Sequence, residues 1–163
     1  MRTLRNELSS DERSLLSQMA LQRLRSLDVF KTARTIASYR AIDGEIDPEA
    51  IRDGCRQRGK RICYPRVTDS GHMEFSEAAS WQPYRFGYAP VGEEVNLGEI
   101  DLMLVPGVAF TLCGQRLGFG GGFYDRVLAN FDGFSVGLAY PFQICSELHT
   151  EAWDMNVDYV ISP

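Results

Sequence analysis

The sequence predicts an α/β fold, a three-layer α/β/α sandwich with a mostly parallel central sheet, and three observations carry that expectation. Segments of helical period alternate with short β-rich runs along the chain. One run, Ile100-Asp101-Leu102-Met103-Leu104-Val105, is almost continuously apolar, as expected of a central strand covered on both faces. A glycine-rich stretch follows it, and open α/β sheets hold ligands beyond the carboxyl ends of their strands. The chain has 163 residues, enough for one domain that buries about two-thirds of its unfolded surface, so a single domain over 1–163 is expected.

The elements follow in order. Ser9-Ser10-Asp11-Glu12 has the form of a capping box, and Leu16, Met19, Ala20, Leu24 and Leu27 then recur at helical spacing, which predicts a helix over 10–26. Residues 35–39 form a short β-type run closed by the turn Asp43-Gly44. Asp47-Pro48 supplies an N-cap and a proline at the first helical position, for a helix that stops near Gly59. Residues 61–64 are a second strand, and residues 73–76, with alternating polarity, a third at a sheet edge. Residues 79–99 hold four aromatics, three glycines and two prolines without a clean period, which predicts a long, partly ordered, functional loop. A helix over 123–131, a central strand over 134–139 and a last strand over 157–161 complete the pattern.

Bulk properties narrow the function. Apolar residues at 44% and charged residues at 24% describe an ordinary globular chain. A net charge of −5 argues against a broad basic face, so no nucleic-acid partner is expected. Only Lys31 and Lys60 among the 17 cationic side chains are lysine; the rest are planar bidentate donors, although high-GC codon usage gives the same bias. Cys55, Cys63, Cys113 and Cys145 lack metal or redox spacing and read as buried, reduced thiols. The first residues lack the apolar core of a signal peptide and no run approaches membrane length, so a cytoplasmic protein without membrane association is expected.

The chemistry concentrates in Gly114-Gln115-Arg116-Leu117-Gly118-Phe119-Gly120-Gly121-Gly122-Phe123-Tyr124-Asp125-Arg126. Such a loop lets backbone N–H groups approach an anion at the start of a helix, with arginines adding fixed charge. It reads as an anion cradle for a polyphosphate. It is not a P-loop, since Phe123-Tyr124 stands where Lys-Ser or Lys-Thr is required, and the dinucleotide fingerprint G-x-G-x-x-G is also missed. A merely flexible connection would leave the interleaved Arg116, Tyr124, Asp125 and Arg126 without a reason.

This stretch, with Leu104-Val105-Pro106-Gly107-Val108-Ala109-Phe110 before it, resembles the signature of the 5-formyltetrahydrofolate cyclo-ligases, also called methenyltetrahydrofolate synthetases. Gly44-Glu45-Ile46-Asp47, Tyr64-Pro65-Arg66-Val67, Val136-Gly137-Leu138-Ala139-Tyr140, Gln143 and Trp153-Asp154 extend the likeness over roughly residues 5–161. The resemblance implies ATP- and Mg²⁺-dependent closure of 5-formyltetrahydrofolate to 5,10-methenyltetrahydrofolate, releasing ADP and phosphate. The formyl oxygen takes the γ-phosphoryl group, N10 attacks the activated carbon, and phosphate leaves. Positioning and charge stabilisation are the enzyme's main tasks in such a reaction.

Carried over position by position, the resemblance implies an ATP site formed by Arg116, Leu117, Gly118, Phe119, Gly120, Gly121, Gly122, Phe123, Tyr124 and Arg126. Arg116 and Tyr124 would be the catalytic side chains. Asp125 and Asp154 would hold Mg²⁺, and Arg40, Glu45, Phe86, Phe119, Gly120 and Phe123 would meet the folate. Each has a plainer reading: Asp125 a helix-start carboxylate, Asp154 a turn residue, Glu45 a solvated acid, Arg126 an intrahelical ion-pair partner, and the aromatics core. His72 and His149 lack ligand spacing and read as surface or turn residues. Two departures stand out. Related chains usually open with further basic helical turns that contact ATP phosphates, where this sequence offers only Arg2 and Arg5 near Met1, and Trp153 occupies a position where many have histidine. The expectation is a monomeric enzyme; the rivals are a catalytically impaired nucleotide- or folate-binding module and a sugar-phosphate isomerase on a similar scaffold.

Overall fold

A computed structural model describes residues 1–163 except the side chain of Arg2. The helices are α1 (Arg2–Glu7), α2 (Ser10–Ser26), α3 (Asp28–Thr32), α4 (Arg52–Gln57) and α5 (Phe123–Leu128). The strands are β1 (Thr35–Ala37), β2 (Arg61–Val67), β3 (Met73–Glu77), β4 (Ser80–Tyr84), β5 (Gly87–Val91), β6 (Glu94–Val95), β7 (Leu102–Val105), β8 (Ala109–Phe110), β9 (Arg116–Leu117), β10 (Phe134–Leu138) and β11 (Tyr159–Ile161). Seven strands share one sheet in the order β11-β10-β7-β1-β2-β3-β6. The first five run parallel, and β3 and β6 join antiparallel at one side.

The continuous apolar run explains the layering. Every residue of β7 is fully buried, and its side chains alternate between faces. Leu102 and Leu104 pack with Ala20, Leu21 and Leu24 of α2, Phe30 of α3 and Cys55 of α4, whereas Met103 and Val105 pack with Val127 and Leu128 of α5. Burying each such side chain contributes about 1.5–3 kcal/mol, so both helical layers are anchored on this strand. Phe110 lies over β10 where Gly137 leaves room: a Cβ there would sit 2.5 Å from the ring.

The capping box forms as expected. Glu12 N–H donates to Ser9 Oγ at 3.2 Å, and Ser9 N–H to Glu12 Oε2 at 2.8 Å. The buried stripe of α2 is Ser17, Ala20, Leu21 and Leu24, and Met19 faces outward. Asp47 Oδ1 accepts from Glu49 N–H at 3.0 Å, but the turn it starts is a 3-10 turn (Glu49–Ile51), and α4 proper begins only at Arg52. The expected helix over 123–131 ends at Leu128, because Asn130 and Phe131 close with tighter bonds to Val127 and Leu128.

The main correction concerns residues 79–99. They form the hairpin β4–β5, the short strand β6 and a 3-10 turn (Leu97–Glu99), so β3 is not the sheet edge: Phe75 pairs with Val95 outside it. Pro83 and Pro90 hid the hairpin, since proline normally argues against a strand. Here both lie in a separate two-stranded unit where few ladder bonds are needed. Of the thiols, Cys55 and Cys63 are buried as expected, but Cys145 is only partly covered and Cys113 is exposed. His72 sits in a turn with Ser70 Oγ 3.0 Å from its Nδ1, and His149 is exposed.

Candidate active site at the switch point of the sheet

Strand β1 leads to β2 on one side, while β7 leads to β10 on the other, so the loops leaving their carboxyl ends diverge. That divergence opens a crevice, the usual ligand position in such sheets. Arg5 of α1 is buried between these diverging loops at 1% exposure. Its guanidinium donates to the Gly107 carbonyl and places Nη1 3.8 Å from Glu45 Oε1. The same carbonyl accepts from Gln143 Nε2 at 3.1 Å, and that amide also reaches the Val108 carbonyl at 2.8 Å. Glu45 is therefore a buried acid held between the two diverging loops, its Oε2 accepting from Ile42 N–H at 3.1 Å. Tyr140 fixes its backbone by donating to the Glu45 carbonyl at 3.3 Å.

The glycine loop rises from a second small hairpin. β8 pairs with β9, which sets Arg116 opposite Phe110 and points its side chain inward. Arg116 Nη2 donates to Asp125 Oδ1 at 2.8 Å, with side-chain exposures of 3% and 17%. Met155 N–H donates to the same oxygen at 3.2 Å, which ties the segment carrying Asp154 to the start of α5. Both bonds fall on Oδ1. Arg116 Nε is buried and makes no hydrogen bond among the described residues, a loss that a bound acceptor would repair. Gly122 caps α5 in the left-handed region at φ 60°, a geometry that a side chain would strain. The Tyr124 ring lies 5.7 Å from the Arg116 guanidinium. Burial, and then the charge of Glu45, push its hydroxyl pKa up, so it stays a proton donor at neutral pH.

Together these segments enclose a cavity of about 960 Å³. Arg40, Glu45, Phe86, Arg116, Leu117, Gly118, Phe119, Gly120, Gly121, Gly122, Phe123, Tyr124, Asp125 and Asp154 all line it. Residues separated by more than a hundred positions are thus brought to one space. Arg126 is not among the lining residues. Its guanidinium donates to the Gly71 and Gly121 carbonyls, both at 3.2 Å, and stacks over Phe123, so it braces the loop from outside.

The roof was missed by the sequence reading. Trp81, Tyr84 and Tyr88 of the β4–β5 hairpin line the cavity, with Tyr39 from just past β1 and Tyr64 from the middle of β2. Phe86 at the hairpin tip packs edge-to-face on Phe123 at 5.7 Å, which closes the roof onto the glycine loop. Tyr84 accepts from Val67 N–H at 3.1 Å. The cluster of aromatics around Gly87 was the available signal. Among the described residues no three metal-ligating side chains converge, and Asp125 and Asp154 both line the cavity. Asp154 Oδ2 already accepts from Glu151 N–H at 2.8 Å.

A doubly wound sheet with a glycine-rich loop at its switch point, opposite an aromatic roof, defines an α/β protein with a small-molecule site. More specifically, the chain belongs to the 5-formyltetrahydrofolate cyclo-ligase family, whose model matches residues 1–163. It is 29% identical to 5-formyltetrahydrofolate cyclo-ligase of Escherichia coli K12 over 100% of this chain and 96% of that one. It is 32% identical to the Haemophilus influenzae protein of the same name, over 95% and 89%. The NMR structure of Aquifex aeolicus 5,10-methenyltetrahydrofolate synthetase superposes with a TM-score of 0.87 at 37% identity, covering 99% of this chain and 84% of that one. A Mycoplasma pneumoniae 5,10-methenyltetrahydrofolate synthetase gives 0.83 at 28% identity, over 98% and 92%. No helix among the described residues is long and apolar enough to cross a membrane.

Proposed function

We propose that this protein catalyses the ATP-dependent cyclisation of 5-formyltetrahydrofolate to 5,10-methenyltetrahydrofolate, with release of ADP and phosphate. The observation that carries the reading is the pairing of Arg116 with Asp125 beneath the glycine loop, inside a cavity at the upper end of ordinary ligand-site volumes. The loop offers backbone donors to phosphate, and the buried Arg116 Nε is a donor in want of an acceptor. The aromatic roof offers flat apolar area to a pterin and benzoyl group.

In this reading Arg116 holds developing phosphoryl charge and Tyr124 donates a hydrogen bond near it. Glu45, buried beside Arg5, orients the folate. Arg126 keeps the loop in register from behind, a bracing role in place of direct ATP contact. Asp125 and Asp154 fit a Mg²⁺ site: two hard carboxylates, with phosphate oxygens and water completing the shell, are what this ion accepts. When bound, Mg²⁺ would neutralise phosphate charge. Leu117, Gly118, Gly120, Gly121 and Gly122 serve as ATP-facing backbone, while Phe119, Phe123, Phe86 and Arg40 face the folate. The side chain of Arg2 lies outside the described residues; Arg5 is buried beside Glu45. One domain over 1–163, acting as a cytoplasmic monomer without nucleic-acid or membrane partners, completes the proposal.

Purified protein mixed with 5-formyltetrahydrofolate and MgATP is expected to raise the near-ultraviolet absorbance of the methenyl product. Absence of any ATP-dependent rise, in protein that still binds both ligands by calorimetry, would replace the enzyme with a binding module.

A further inference from the structure

Arg40 stands at the cavity mouth, just past β1, with its side chain exposed. Its guanidinium carbon lies 4.8 Å from the ring centre of Trp81 and 4.8 Å from that of Tyr88. The hairpin register explains this double contact. Trp81 pairs with Pro90 and Pro83 with Tyr88, so Trp81 and Tyr88 are diagonal neighbours on one face of the hairpin. Trp81 is itself held edge-on by Tyr64 at 4.9 Å, and the Tyr64 hydroxyl donates to Glu49 Oε2 at 2.9 Å. The arginine is fixed by a chain of rigid groups.

Aromatic contact uses the faces of a guanidinium and leaves its in-plane N–H donors for something else. Among the described residues no carboxylate or carbonyl takes them. A preorganised cation with unused donors at a ligand site is suited to a bidentate oxyanion. Two oxyanions would enter this cavity: the phosphates of ATP and the carboxylates of the folate. Phosphates have Arg116 and the glycine loop, which belong to β9 and α5. Arg40 belongs to the opposite wall, made by β1 and the hairpin.

We propose that Arg40, clamped by Trp81 and Tyr88, binds a carboxylate of the glutamyl tail of the formyl-folate and so sets this protein's preference for glutamylated over tail-less folates. The assignment rests on the formyl-folate reading above and adds to it the part of the substrate recognised. Arg40→Met keeps a flexible apolar chain between the rings and removes the charge; Arg40→Lys keeps the charge without the fork.

Both variants and the parent protein would be assayed with 5-formyltetrahydrofolate, its triglutamate and tail-less 5-formyltetrahydropteroate, by turnover and by calorimetric binding. For Arg40→Met the expected result is a KM and Kd raised roughly tenfold for the glutamylated ligands, from one lost charge-assisted bond. The tail-less ligand and the KM for ATP should be unchanged, the melting temperature should fall by no more than the few degrees that two exposed cation–π contacts account for, and Arg40→Lys should recover part of the loss. An equal rise for all three folates would mean that Arg40 only fastens the hairpin, and a rise confined to ATP would make it a phosphate contact; either overturns the proposal, as does no change at all. Tail-dependent binding without methenyl formation would instead overturn the cyclisation reading and leave this assignment standing.

Discussion

Asp125→Asn separates the two roles that the carboxylate at the start of α5 could play. The substitution is isosteric, and an amide oxygen can still accept from Arg116 Nη2 and Met155 N–H, now at 2.8 and 3.2 Å. Shape is therefore kept and charge is lost. A hydrogen bond to a charged group contributes about 1.5–3 kcal/mol against about 1 for a neutral one, so this single ion-paired contact should cost roughly 0.5–2 kcal/mol. The side chains are only 3% and 17% exposed, so solvent screening removes little of that difference. For a chain of this size the melting temperature should fall by about 2–4 °C per kcal/mol, which circular dichroism would resolve. Turnover should fall much further, by a hundredfold or more, corresponding to about 2.7 kcal/mol of barrier. If Asp125 holds Mg²⁺, the concentration of the ion giving half-maximal methenyl formation should also rise. A loss of activity below about tenfold, with that Mg²⁺ concentration unchanged, would reduce Asp125 to the counter-ion of Arg116 and refute the metal assignment.

Other consequences are as direct. Arg116→Ala breaks a buried pair and should cost about 3 kcal/mol or more, yet activity per folded molecule should drop by a larger factor still; survival within tenfold would mark the arginine as structural. Gly137→Ala puts a methyl 2.5 Å from the Phe110 ring, so a stability loss of about 1–3 kcal/mol is expected in urea unfolding, and a neutral result would mean the ring can shift. Burial raises the Cys63 thiol from 9.0 to about 12, so its contribution to stability is intact below pH 9 and is lost as pH climbs towards 12; Cys63→Ala should flatten that alkaline slope. In the native protein a thiol reagent should label exposed Cys113 first and reach Cys55 and Cys63 only on unfolding.

Much of this molecule could be read in its sequence wherever the signal is local. Residues 102–105 announce a central strand because all four are apolar, and Ser9 with Glu12 announces a helix start because both halves of the cap lie within one turn. The glycine loop was equally plain, and its neighbours in the chain line the cavity as expected. Long-range features were hidden. Nothing in the local sequence of Arg5 distinguishes it from a solvated helical arginine; its burial depends on the Gly107 carbonyl, 102 residues away. Arg126 looked like a phosphate ligand by adjacency, but on α5 it emerges on the outer side of the loop, where the Gly71 carbonyl receives it. The β4–β5 roof escaped because prolines masked the strands, and its value lies in pairings such as Arg40 with Trp81 that only the fold creates.

That roof is a two-stranded unit with no ladder bonds to the seven-stranded sheet. The side of the cavity proposed to grip phosphate is built from segments wedged into the core, through Arg116, Phe110 and the buried strands below them. The proposed folate-facing side extends outward from the β3–β6 pair, joined to it through the Glu77–Glu93 and Ala79–Val91 backbone bonds, and is further held by Tyr84 to Val67, Phe86 to Phe123 and Trp81 to Tyr64. On the proposed division of the cavity, the tip of the hairpin can exchange rings and charges to suit a different folate pool while the glycine-loop half is left untouched. A chimera carrying a relative's hairpin should inherit that relative's substrate range without losing its own dependence on ATP.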